Sequence, residues 1–315
     1  MTASKASPAP AAIKRPGAAP RDLHPLLEPL AACEGGPTLI LFPPIRSGMV
    51  GYTILINALR SKANIYGLRY PGDLNPLKPD MIERLSRLYA EAIERSSFAS
   101  PLVLAGWSMG ALLVIEAPRR LSGTAIQVQD LVLIDPHPME GSLRGIVPQD
   151  TLQRRRFFWL SYLSFKFHDE DRQRVLDEGR FWDLSDRERL DAVKKHDPGF
   201  SGPFREFVRP IDLRIEFKFI SRSLVALSGY SVRPYSDLCT IVCCKQFEAR
   251  TKAAWTTRDI PNRRIIAVDG DHNSIMLHHC IEPVKRLLLS GGDATAGIDP
   301  RAVSSARLAS RGASR

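Results

Sequence analysis

The sequence predicts an α/β protein: a mostly parallel sheet flanked by helices, with a helical lid inserted between its strands. Three observations carry this. Short apolar runs alternate with helical patterns from residue 37 to about 136. The alternation stops at Pro136 and resumes near residue 238. The runs are apolar at nearly every position, as in strands buried on both faces rather than on one.

Taken in order, "TLILF" (38–42) reads as a buried strand, followed by the turn "PPIRSG" and a helical stretch over 50–61. "NIYGLRY" (64–70) is a second strand, closed by "PGDLNP". Residues 79–98 place Met81, Ile82, Leu85, Leu88, Tyr89, Ala92 and Ile93 at helical spacing, with Pro79 near the start. "PLVLAG" (101–106) is a third strand, 109–121 a helix, and "DLVLID" (130–135) a fourth strand. The segment from about 139 to 236 is richer in charge and aromatics, with amphipathic helices over 149–167 and 185–196. Inserted between sheet strands, it reads as a lid. "LCTIVCC" (238–244) and "RRIIAVDG" (263–270) then resume the strand pattern, and 274–289 forms a final helix.

Residues 23–290 are thus expected to form one domain. Residues 1–22 and 291–315 are Ala-, Pro- and small-residue-rich ends expected to be disordered. The leader carries basic residues but no apolar core segment, so it does not read as a secretory signal. No apolar run approaches a membrane span.

The net charge of +10 suggests nucleic acid until it is divided. Lys5, Lys14, Arg15 and Arg21 against Asp22 give the leader +3, and four arginines against Asp293 and Asp299 give the tail +2, leaving +5 for everything between. The densest basic cluster there is Arg154, Arg155 and Arg156, with no stripe of interleaved aromatics, so nucleic-acid binding is not expected. The five cysteines show no paired metal-ligand spacing and read as reduced thiols of a cytoplasmic protein.

The chemistry centres on "LAGWSMGALL" (104–113). A G-x-S-x-G pentapeptide alone means little. Here Ser108 follows a strand directly and opens a helix, the context of a nucleophile elbow. Gly106 and Gly110 permit the tight turn where a side chain would collide with a neighbour. A serine hydroxyl needs a base oriented by an acid. Of seven histidines, His272 in "VDGDHNSIM" lies between the last strand and the final helix, the address expected of the base. His24 lies in the N-terminal segment, His168 and His196 in the insertion, and His137, two residues past the fourth strand, is the competitor. For the acid, Asp135 ends the fourth strand and Glu248 follows the later one. Asp271, adjacent to His272, is expected to fix the loop through backbone hydrogen bonds.

"LFPPIRSG", "LAGWSMGALLVIEAPRRL", "LVLIDPHP" and "GDHNSIM", in that order, resemble the releasing thioesterase domains of non-ribosomal peptide and polyketide synthetases. The resemblance covers roughly 37–136 and 238–289. It implies an α/β-hydrolase fold with a helical lid, Ser108 as nucleophile, Asp135 as acid and His272 as base. It also implies oxyanion donors at the backbone N–H groups of Met109 and Ile45. Ala111 and the glycine-poor "IRSG" depart from the family pattern. The implied substrate is an acyl, peptidyl or polyketide thioester on the phosphopantetheine of a carrier protein, with no cofactor or metal of the enzyme's own. The carrier is the implied partner. The inserted segment lies outside the resemblance: Arg154, Arg155 and Arg156 read either as a docking cluster or as a solvated helix face, and Phe157, Phe158, Trp159, Phe165, Phe181 and Trp182 either line the acyl pocket or fill the lid's own small core. Two rivals share this pattern: a carboxylesterase or lipase acting on a diffusible ester, and a non-catalytic hydrolase-fold binder. Labelling of Ser108 by a fluorophosphonate separates the enzymes from the binder.

Overall fold

A computed structural model describes residues 22–45, 48–71, 80–96, 98, 101–136, 147–167, 169–177, 180–196, 213–255, 260–272 and 274–289. Seven strands form one sheet: β1 (Leu27–Ala31), β2 (Thr38–Phe42), β3 (Asn64–Leu68), β4 (Leu102–Trp107), β5 (Val128–Ile134), β6 (Cys239–Cys244) and β7 (Arg263–Val268). They lie in the order β1-β3-β2-β4-β5-β6-β7, with β1 antiparallel to β3 and the other neighbours parallel.

The period-2 alternation of a strand divides the apolar runs between two cores. Ile40, Phe42, Leu102, Leu104, Leu131, Leu133, Ile241 and Cys243 face one side. Leu39, Leu41, Val103, Ala105, Val132, Ile134, Val242 and Cys244 face the other. Helices α1 (Thr53–Leu59) and α10 (Ile281–Leu289) cover the second face. Helices α2 (Met81–Arg95) and α3 (Met109–Glu116) cover the first. All eight residues of α3 are buried, because it is pressed between the sheet and α2. Ser86 of α2 donates its hydroxyl to the Leu113 carbonyl, so even the polar contact between the two helices is satisfied internally.

Between β5 and β6 lie α5 (Thr151–Lys166), α6 (Asp169–Asp177), α7 (Asp186–His196) and α8 (Leu213–Gly229), reached after the short α4 (Pro118–Leu121). The buried side chains of these helices continue the core on the first face of the sheet. Trp159 and Phe181 are fully buried, Trp159 stacks on Phe217 at 4.3 Å, and the buried Arg189 lies over the rings of Trp159, Phe181 and Trp182. Asp186 accepts from the Trp159 indole and pairs with Arg189 and Arg155. Trp159 and Phe181 therefore pack the lid's interior and do not line a pocket. Phe157 and Phe158 are partly buried, and the side chain of Phe165 lies outside the described residues.

Four local expectations are corrected. The sequence pattern shows no strand over 27–31, since Glu28 and Pro29 interrupt it. Proline lacks a ladder donor and is tolerated here because β1 is the sheet edge. The helix expected over 109–121 breaks before Pro118. The final helix starts at Ile281, not 274, after a 3-10 turn over Ser274–Met276. Helices α8 and α9 (Glu248–Ala254) were not foreseen. Among the described residues no helix is long and apolar enough to cross a membrane.

One buried carboxyl titrates within the sheet. Asp130 of β5 is 4% exposed, and burial pushes it up to about 6, against the Thr240 hydroxyl, the Leu131 N–H and the charge of Arg264. A carboxyl raised above its unfolded value holds its proton more tightly when folded. Its contribution to stability is therefore fully present below about 4 and is lost as pH rises through about 6. Relative to Asp130→Asn, the wild-type protein should lose up to about 3 kcal/mol of stability between pH 4 and 7, measured by urea unfolding. A difference that stays constant across that range contradicts the assignment.

Candidate active site

Strand β4 runs into Ser108 and α3 begins at the next residue. Ser108 adopts φ 58° and ψ −121°, a left-handed backbone that costs a serine about 1–3 kcal/mol. The surroundings enforce it. Ser108 N–H donates to the Ile134 carbonyl at 3.0 Å, and its own carbonyl accepts from Ala111 N–H at 3.1 Å. A Cβ on Gly106 would fall inside the Gly110 carbonyl, and one on Gly110 would lie 2.5 Å from the Phe42 carbonyl oxygen. Both glycines are thus required by close backbone approach, one across the turn and the other across to β2.

Tyr52, fully buried, ties the same two strand ends together. Its hydroxyl donates to the Phe42 carbonyl at 2.7 Å and accepts from Trp107 N–H at 2.6 Å. Burial pushes the phenol well above its ordinary value, so it remains a donor at any working pH. Nothing in the sequence singled out Tyr52, because its partners are backbone groups ten and fifty-five residues away.

Asp135 follows β5 with φ 39°. Its N–H donates to Val242 at 2.6 Å, and its Oδ1 accepts from Cys244 N–H at 3.2 Å, both on neighbouring β6. Its Oδ2 lies 2.6 Å from His272 Nδ1. Ser108 and Asp135 are two of three non-glycine residues with positive φ among the described residues. Strain is stored at the ends of the two central strands.

His272 sits in the loop after β7. Asp271 and Ser274 clasp that loop reciprocally: Ser274 N–H donates to Asp271 Oδ1 and Asp271 N–H to Ser274 Oγ, each at 2.8 Å. The Trp107 indole donates to the His272 carbonyl at 3.1 Å, and the two rings lie 5.3 Å apart. Trp107, immediately before Ser108, therefore holds the histidine loop over the elbow. The contact between Nδ1 and the Asp135 carboxylate fixes the orientation of the imidazole ring. The imidazole is about a third exposed and the carboxylate nearly buried, so the outer end of the pair faces solvent.

Met109 opens α3 and is buried; as the first helical residue its N–H has no acceptor within the helix. Ile45 is buried after Pro43 and Pro44, while Arg46 and Ser47 lie outside the described residues. Glu248 begins α9 and pairs with Lys252 rather than with the histidine. His137 lies outside the described residues. Burial, then the nearby Asp135 carboxylate, push the Cys244 thiol up to about 12, so this neighbour of the site stays protonated. The lid arginines are engaged locally: Arg154 donates to the Pro148 and Gln149 carbonyls, Arg155 pairs with Asp186, and Arg156 lies over Trp182.

Comparison with known proteins shows what the chain is similar to. Residues 37–158 match the family described as Thioesterase domain. A 117-residue stretch is 32% identical to a non-reducing polyketide synthase of Pseudevernia furfuracea, covering 37% of this chain and 5% of the relative. Among solved structures, a holo four-domain nonribosomal peptide synthetase bound to AMP and glycine superposes with a TM-score of 0.61 at 22% identity, over 84% of this chain and 20% of that one. The thioesterase domain of NocB from the nocardicin cluster superposes at 0.52 and 16% identity, over 84% of this chain and 99% of that one. The chain thus spans only a small fraction of the curated synthase it matches, and its fold is that of an α/β-hydrolase.

The two candidate acids now predict different losses. Asp135→Asn should lower kcat for thioester hydrolysis by roughly 10²–10⁴, since the acid that sets the histidine tautomer carries a cost of that order. Glu248→Gln should cost less than about tenfold, because its carboxylate is already spent on Lys252. The reverse ranking would move the acid to the end of β6.

Proposed function

With residues 37–158 matching the thioesterase domain and the sheet that of an α/β-hydrolase, we propose that this chain is a serine thioesterase. It releases an acyl, peptidyl or polyketide chain from the phosphopantetheine thioester of a carrier protein. The observation that carries the reading is the 2.6 Å contact between Asp135 and His272, set on the loop that Trp107 holds over the strained Ser108.

In this mechanism His272 Nε2 takes the Ser108 hydroxyl proton as Oγ attacks the thioester carbonyl. Asp135 stabilises the imidazolium that results. The developing oxyanion is held by the N–H groups of Met109 and Ile45. The carbon–sulfur bond breaks, His272 returns the proton to the departing thiol, and the acyl group remains esterified to Ser108. A water molecule, or a hydroxyl or amine of the acyl chain itself, then attacks with His272 again as base. The product is a free acid, a lactone or a lactam, and Ser108 recovers its proton. No cofactor takes part, since the phosphopantetheine belongs to the substrate.

Ser108→Ala should lower turnover of an acyl-pantetheine thioester by on the order of 10⁶ while the thermal midpoint is kept. Retention of more than a few per cent of wild-type activity would remove the assignment.

The proposed partner is the carrier protein, and Arg154, Arg155 and Arg156 the proposed docking cluster. Arg155 is paired with Asp186 and Arg154 is held on the Pro148 and Gln149 carbonyls, so the exposed Arg156 is the member whose charge can be reversed with least disturbance of those contacts. Arg156→Glu should raise KM for a carrier-bound acyl group several-fold and leave KM for the free pantetheine thioester unchanged. Equal changes for both substrates would refute docking at this helix.

A further inference from the structure

The loop over 43–45 leaves β2 and is fastened at two points. At its start, the Phe42 carbonyl accepts from Tyr52, which is itself bonded to the Trp107 amide. At its far end, the Pro44 carbonyl accepts from the Tyr70 hydroxyl at 3.0 Å. Tyr70 lies two residues past β3, the strand paired with β2 on the side away from β4.

The Pro44 carbonyl and the Ile45 N–H belong to one peptide unit. That unit is planar, and in the trans form its C=O and N–H point in opposite directions. A hydrogen bond that fixes the carbonyl therefore fixes the amide's aim as well. Withdrawing electron density at the oxygen also strengthens the N–H as a donor. The Tyr70 ring has a second partner: it meets Phe219 of lid helix α8 edge to face, with centroids 5.3 Å apart and an interplanar angle of 81°. One side chain thus touches the lid with its ring and the oxyanion loop with its hydroxyl.

We propose that Tyr70 is a positioning residue that couples the seating of lid helix α8, through Phe219, to the aim of the Ile45 N–H at the reacting carbonyl. The proposal rests on the reading of Ile45 as an oxyanion donor and adds to it what sets that donor's orientation. Tyr52 fixes the start of the loop to the sheet and is independent of the lid. Tyr70 makes the other end answer to it. A lid seated over substrate presses on Phe219 and keeps the Tyr70 hydroxyl on Pro44; a displaced lid releases the peptide plane to turn.

The test uses the full-length chain and the acetyl thioester of N-acetylcysteamine, whose two-carbon acyl group is chosen to minimise contact with α8. Removing one oxyanion donor outright costs about 10²–10³, so loosening one should cost less: Tyr70→Phe is expected to lower kcat about tenfold. KM should stay within about twofold and the thermal midpoint should hold, because the substitution keeps the ring and its contact with Phe219. Phe219→Leu should lower kcat about three- to fivefold on this small substrate, and should cost nothing further in the Tyr70→Phe background, where the link is already cut. A lid residue that merely lines the acyl pocket or stabilises the fold would not produce that non-additivity. Unchanged kcat in either single variant, or a double variant whose loss is the product of the two single losses, would overturn the coupling. If Tyr70→Phe failed to fold, Phe219→Leu alone would decide, with unchanged kcat counting against the proposal. An active Ser108→Ala would instead overturn the underlying reading of the site, and the coupling with it.

Discussion

The close approach of α3 to strands β2 and β4 is the constraint on which the site depends. With no side chain at Gly106 or Gly110, the helix begins within one residue of the strand end and its backbone reaches the Phe42 carbonyl. That proximity forces Ser108 into a left-handed conformation. It also brings the start of the loop that leaves β2 at Phe42 up against Gly110 of α3. The wholly buried face of α3 supplies the packing that holds the strain. Eight buried residues, most of them apolar, anchor a helix that could not otherwise keep one unfavourable φ.

Asp135 and His272 are positioned by the next strands along. Asp135 reaches across the end of the sheet because β6 holds it at two points, through Val242 and Cys244. Its carboxylate is left one free oxygen, and that oxygen meets His272. The histidine's loop is in turn tied back to Trp107, next to the nucleophile. The three residues are thus joined by a circuit of backbone and side-chain hydrogen bonds running β4 to β5 to β6 and back through the β7 loop. The inserted helices, with their aromatic cluster around Arg189, pack into the same core as the first face of the sheet.

Much of this was legible in the sequence for a physical reason. Parallel strands buried on both faces must be apolar throughout, so β2, β4, β5 and β6 stand out as uninterrupted runs. Edge strand β1 escaped because an edge tolerates Glu28 and Pro29, which erase the pattern. Ser108 and His272 could be placed because each sits at a junction of strand and helix that is marked locally. Asp135 could be separated from Glu248 only by family resemblance, since both follow strands and only the fold shows which one His272 meets. Trp107, Tyr52 and Tyr70 carried no signal at all. Their partners are main-chain groups distant in sequence, and a tyrosine in an apolar run reads as core. The lid aromatics could not be assigned for the converse reason: composition reveals that Trp159 and Phe181 are buried somewhere, but not whether in a pocket or against each other.

The central claim is that the acyl group passes through Ser108. Rapid acid quenching of the wild-type protein during turnover of an acyl-pantetheine thioester, followed by mass spectrometry of its peptides, tests it most directly. The account predicts a mass increase of one acyl group on the peptide that contains Ser108 and on no other. An adduct on a cysteine-containing peptide, or turnover with no adduct on Ser108 at any quench time, would contradict it.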